Sequence, residues 1–132
     1  MTFDAPESNV CAVRRERSNT PLQSLTLLND PVFFECAQAL GRRIVEESSC
    51  DLPEARIRHV FRLCLAREPS SEELSLLGRL WEDLAQQCRA DPDAAAELAG
   101  PETPAGAGVP EAAAWVALAR TIMNLDEFVT RE

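Results

Sequence analysis

The sequence predicts an all-α protein: a single compact bundle of about five to seven helices with one Gly/Pro-rich mobile loop. Three observations carry this reading. Apolar residues recur at spacings of three and four in several segments, the period of a helix with one face on a core. No segment alternates apolar and polar residues over a useful length, as a half-buried strand does. Pro, Asp, Ser and Thr stand at the joints between the periodic runs, where helices begin and end.

The first helix opens at Thr20-Pro21-Leu22-Gln23, a threonine cap followed by proline at the first helical position and a Gln three residues after the cap. It presents Leu22, Leu25 and Leu28 and then meets Asn29-Asp30-Pro31. Proline disfavours helical geometry in the residue before it, so this helix ends near Asn29 while Asp30 caps, and Pro31 opens, a second. The second helix, over 31–48, carries Phe33, Ala37, Leu40 and Ile44, and Gly41 in its interior implies that another backbone passes close by. A third, over 53–66, offers Ile57, Val60, Phe61 and Cys64, with Arg56, Arg58, His59 and Arg62 mostly on the other side. Ser70 and Glu73 form a capping box that opens a helix over 71–89, with a seam of Leu74, Leu77, Trp81, Leu84 and Cys88 widened by Leu76 and Leu80. Asp91-Pro92 repeats the cap-plus-proline device for a short alanine-rich helix to Leu98. The stretch 99–110, "GPETPAGAGVP" with its preceding alanine, has no apolar period and reads as a flexible linker. A last helix, 110–129, carries Trp115, Leu118, Ile122, Leu125 and Val129, and its partners are the stripes of the second and fourth helices. The domain is therefore 20–132, preceded by an extended segment over 1–19.

Length and composition fit one globular domain: 132 residues, 45% hydrophobic and 27% charged. The net charge of −9 is concentrated toward the C-terminus, where residues 91–132 hold eight acidic against two basic side chains. Such a balance repels phosphate backbones and anionic lipid heads, so no nucleic-acid partner is expected. The apolar run "AAAWVALA" at 112–119 is far short of the ~20 residues that span a bilayer, so no membrane insertion is expected either. The N-terminus lacks the apolar core of a signal peptide. Five scattered cysteines, without a C-x-x-C pair, argue against a disulfide framework. Cys36, Cys64 and Cys88 read as small buried hydrophobes, with a Cys36–Cys50 bridge as the lesser alternative.

The residues supply little chemistry. Arg14, Arg15 and Arg17 surround a glutamate in a chain that is acidic overall, which favours ion pairing within the protein, with Asp126, Glu127 or Glu132, over phosphate binding. His59 and Cys64 are five apart on one helix and point to different faces, so they assemble neither a metal site nor a nucleophile with its base. Paired carboxylates on the helices suit solvated faces and first turns. The Asp126-Glu127 pair stands out because Asn124 and Arg131 lie near it beside a buried face. No catalytic residue, cofactor or metal is assigned. The polar cluster of interest is Arg14, Arg15, Arg17, Asn29, Asp30, Asn124, Asp126 and Glu127.

Three segments, "VRRERSNTPLQSLTLLNDPVFFECAQAL" (13–40), "RIRHVFRLCLAREPSSEEL" (56–74) and "AWVALARTIMNLDEFVTRE" (114–132), resemble the C-terminal portion of the planctomycete family called domain of unknown function 1553. That family's segments typically read R-R-x-R-x-N-T-P-L-Q-A-L with L-N-D-P, F-R-L-x-L-x-R-x-P-x-x-E-E-L, and L-N-L-D-E-F-x-T-R-E. Ser24 stands where alanine is usual and Met123 where leucine is usual. The resemblance implies a longer, exported parent, often with a cytochrome c-like domain upstream; this chain has no C-x-x-C-H and attaches no haem itself. It brings no settled activity. The expectation is a non-catalytic helical module that packs on the upstream domain of its parent or on another protein, in the periplasm or cell envelope. The alternative is a share in an active site completed by a missing upstream region, for polysaccharide breakdown, with Asn29, Asp30, Asp126 and Glu127 lining the cleft. The question of catalysis stays open, and the leading reading gives none to this chain alone.

Overall fold

The computed structural model describes residues 21–48 and 50–129. Seven helices follow in order: α1 (Pro21–Asn29), α2 (Pro31–Glu47), α3 (Pro53–Leu65), α4 (Ser71–Ala90), α5 (Pro92–Ala99), α6 (Val109–Met123) and α7 (Asp126–Val129). No strand occurs among the described residues, and the fold is an all-α bundle. The expected extended segment 1–19, the Thr20 cap, Arg14, Arg15 and Arg17 lie outside the described residues.

The helix boundaries follow from side chains at the joints. Asp30 Oδ1 accepts from the Val32 N–H at 2.9 Å, with Pro31 in the first turn, so the corner between α1 and α2 is a capped restart. Ser70 and Glu73 form the reciprocal capping box of α4: the Glu73 N–H donates to Ser70 Oγ at 3.2 Å, and the Ser70 N–H donates to Glu73 Oε2 at 2.7 Å. Asp91 Oδ1 accepts from the Ala94 N–H at 3.1 Å and opens α5 ahead of Pro92. Helix α3 ends at Ala66 in the left-handed region, φ 55°, a conformation costly for a residue with a Cβ.

Helix α6 is the centre of the bundle and packs against α2, α4 and α5. Its buried residues run Ala112, Ala113, Ala114, Trp115, Val116, Leu118, Ala119, Ile122 and Met123, nearly all round the helix, as befits an element enclosed by neighbours. The main core joins Trp115, Leu118 and Ile122 to Ile44, Ile57, Val60, Phe61 and Leu77. A second cluster is built almost entirely of alanine, with Ala85, Ala95, Ala99 and Ala112 to Ala114 setting α4, α5 and α6 close together. A third places Ala37, Val116 and Met123 beneath Phe33, Leu40, Leu98 and Phe128. Gly41 sits in the crossing of α2 and α6, where a Cβ would lie 3.1 Å from the Val116 backbone; the close approach expected at that glycine is present.

Four expectations are corrected. The last helix is not continuous over 110–129: α6 stops at Met123 and a single turn restarts at Asp126. The Asn124 N–H closes the last turn on Arg120 O at 3.2 Å, and the Phe128 and Val129 N–H groups return to Leu125 O, so the joint lies at Asn124-Leu125-Asp126, where Asn124 and Asp126 are residue types that favour helix ends. Arg56 does not face outward but is only 3% exposed. It lies one turn before Val60, on the core side, over the Trp115 ring at 5.7 Å from its centroid. Cys36 is exposed on α2, and Cys36 and Cys50 are free thiols. Leu76 is exposed on the polar side of α4 and adds nothing to its seam.

The stretch between α5 and α6 starts at Gly100, φ 80°, against the Gln38 side chain, whose Nε2 donates to Leu98 O at 3.2 Å. Pro104 is buried, Ala107 packs on the main core, and Glu102 pairs with Arg42 at 3.3 Å.

Candidate interaction surface

Helix α1 contains no charged residue, and two of its polar side chains bond within the helix: Thr26 Oγ1 donates to Leu22 O at 2.9 Å and Asn29 Nδ2 to Leu25 O at 3.0 Å. It packs chiefly on α2. Its far end is fixed by α6, because the Arg120 guanidinium donates to Leu28 O while lying over the Phe34 ring at 5.1 Å. The rest of the helix is left with Leu22 60% and Leu25 55% exposed, Leu28 beside them, and Val32 64% exposed just past the corner. Positions 22, 25 and 28 fall within one side of a helix. Among the described residues this is an uncharged apolar face turned outward, the kind of surface that marks a contact with another molecule.

The polar residues singled out in the sequence are mostly engaged where they stand. Asn29 closes the end of α1 and Asp30 opens α2. Asn124 closes α6 through its backbone, while its Oδ1 is buried with no hydrogen-bond partner among the described residues. Asp126 and Glu127 form the first turn of α7. Glu127 is bound by Arg67, which stands outside the polar cluster that the sequence points to.

Arg67 uses all five of its N–H donors. Nε and Nη2 donate to Glu127 at 2.7 Å each. Nη1 and Nη2 donate to Glu73 at 2.8 and 2.7 Å, and Nη1 also donates to Glu68 O at 3.1 Å. The guanidinium lies 5.2 Å from the centroid of the Phe61 ring. Hydrogen bonds from Arg67, then from the Ser70 backbone, hold the Glu73 carboxyl down to about 2. The same guanidinium lowers Glu127, and the two carboxylates raise Arg67 further above its already high value. The left-handed turn at Ala66 directly precedes this arginine. The capping box was legible nearby, but Glu127 is sixty positions away in the chain and no local signal connects it.

Elsewhere, Arg43 binds Glu47 through Nε at 2.8 Å and lowers its pKa, and His59 Nε2 lies 3.6 Å from the same carboxylate. Burial pushes the Cys64 thiol up against a smaller opposing pull from Arg43, so this thiol is not poised as a thiolate. Arg62 and Arg58 both reach Glu68. Among the described residues no group of three or more His, Cys, Asp or Glu is placed to hold a metal ion, and no helix is long and apolar enough to cross a membrane.

A protein-family model described as a protein of unknown function, DUF1553, matches residues 1–81. No curated protein and no solved structure gives a match.

Proposed function

The chain belongs to the DUF1553 family of proteins of unknown function, and from that premise we propose that it is a non-catalytic helical module that docks, through the outward face of α1, on the upstream region of a larger exported protein of planctomycete type, of which it forms the C-terminal part. The observation that carries the proposal is the uncharged face of Leu22, Leu25, Leu28 and Val32, exposed on a helix anchored at its other side by α2 and Arg120. An apolar helix face of this kind docks into a complementary groove through anchors spaced at three and four residues. Its polar motifs support the same reading, since Asp30, Ser70, Glu73 and Asp91 all serve helix starts.

A share in an active site has less support. Asn29 and Asp30 serve helix ends and Glu127 is held by Arg67.

The test begins with the reading frame upstream of Met1. The upstream region is expressed separately and titrated with this chain by calorimetry. Binding is expected, and Leu22→Asn with Leu25→Asn is expected to abolish it while leaving the circular dichroism of the chain unchanged. Equal affinity of the double variant, or no binding by the native chain, overturns the proposal.

A further inference from the structure

The four residues of α7 are too few to hold a helical turn by themselves. Two attachments of its described residues bear on it. Glu127 takes two hydrogen bonds from Arg67, and Phe128 packs over Ala37, Val116 and Met123 beside Phe33. The catch stands without the bolt: Arg67 is independently seated by Glu73, by Glu68 O and by the Phe61 ring, so removing Glu127 leaves the guanidinium in place. Phe33, which shares this cluster, immediately follows Val32, the last member of the exposed α1 face.

From this geometry we infer that α7 is a displaceable latch: Arg67 holds Phe128 over the seam between α2 and α6, and release of the latch extends the apolar docking face inward from Val32 to Phe33, Val116 and Met123. The inference builds on the docking reading but is tested without any partner, so the two fail separately. It gives the Arg67 network a role beyond joining three helices, namely setting how much apolar surface is on offer.

The experiment is amide hydrogen exchange by NMR on the full chain. The Leu125, Phe128 and Val129 amides are the reporters, because each donates a hydrogen bond within the joint or the turn. In Glu127→Gln these amides are expected to exchange at least about threefold faster, with increased binding of an apolar fluorescent dye and unchanged protection of α2 and α6. Glu102→Gln, which breaks a surface pair to Arg42 elsewhere, is expected to leave the three reporters unchanged. For Glu127→Gln, two results overturn the latch. One is equal exchange of the reporters in Glu127→Gln and the native chain. The other is parallel loss of protection in α6, which makes α7 an inseparable part of the core. Phe128→Ala gives an independent arm: faster reporter exchange with α2 and α6 intact supports the latch, and unchanged reporters overturn it.

Discussion

Gly41 of α2 lies directly against Val116 of α6: a Cβ at position 41 would stand 2.8 Å from Val116 Cγ2 and 3.1 Å from both its Cα and its backbone nitrogen. The side-chain contact can be relieved by a rotamer change, but the backbone contact cannot. Alanine gains about 1 kcal/mol over glycine in a free helix. Overpacking a tight crossing costs about 1–3 kcal/mol. Gly41→Ala is therefore expected to destabilise the protein by about 1 kcal/mol, and by no more than about 2, read as a lower midpoint in urea. In a Val116→Ala background the cost of Gly41→Ala should shrink, a coupling measurable in a double-mutant cycle. Additive losses would place the whole penalty in the Val116 backbone contacts, which alanine retains.

Arg56 tests whether a buried guanidinium stabilises by charge or by packing. Its Nη1 donates to Glu111 at 2.6 Å and its Nη2 to Asp51 at 3.0 Å, yet both carboxylates are open to solvent and are not stranded when the arginine is removed. The stem and the face over Trp115 are the larger part of what is lost. Arg56→Ala is expected to cost about 2–3 kcal/mol, and Arg56→Met, which refills the space without the charge, less than about half of that. Equal losses in the two variants would assign the stability to the ion pairs instead.

Acid should unpick the Arg67 network in a defined window. Glu73 is held down from an ordinary 4.5 to about 2. A carboxylate with a depressed folded pKa contributes stability above its unfolded pKa and loses it as the pH falls through the folded one, so the loss spans pH 4.5 to 2. Because the pair is partly exposed, solvent screening reduces the contribution to on the order of 1 kcal/mol. The native chain is expected to exceed Glu73→Gln by about that much at pH 7 and to converge with it near pH 2, in urea titrations at each pH. A gap that persists at pH 2 would place the effect in the capping geometry and not in the charge.

The sequence was most legible at its joints. Asp30, Ser70, Glu73 and Asp91 announce helix starts because capping is a local transaction between a side chain and amides two or three residues away. Gly41 was legible for a similar reason, since glycine in a helix interior calls for a close neighbour. What escaped depends on distant chain. Arg56 looked outward by charge, but Glu111 and Trp115 arrive from α6 to receive it. The periodic run of Trp115, Leu118, Ile122 and Leu125 hid the joint at Asn124, because hydrophobic spacing continues across a break that hydrogen bonds make. The apolar residues of α1 were visible, but their exposure was not, since spacing does not reveal whether a helix face has a neighbour. Arg67 gave no local sign of the five acceptors that gather around it.

The central place of α6 also bears on where this protein begins and ends as a physical object. The family-model match covers residues 1–81 and so ends in the middle of α4, whereas the helix that the others enclose starts at Val109. Cut where that match ends, the chain would lose the inner wall on which α2 and α4 rest, along with Trp115, the ring that Trp81 meets at 5.2 Å between centroids. The stretch that the family model matches is thus shorter than the unit that can exclude water.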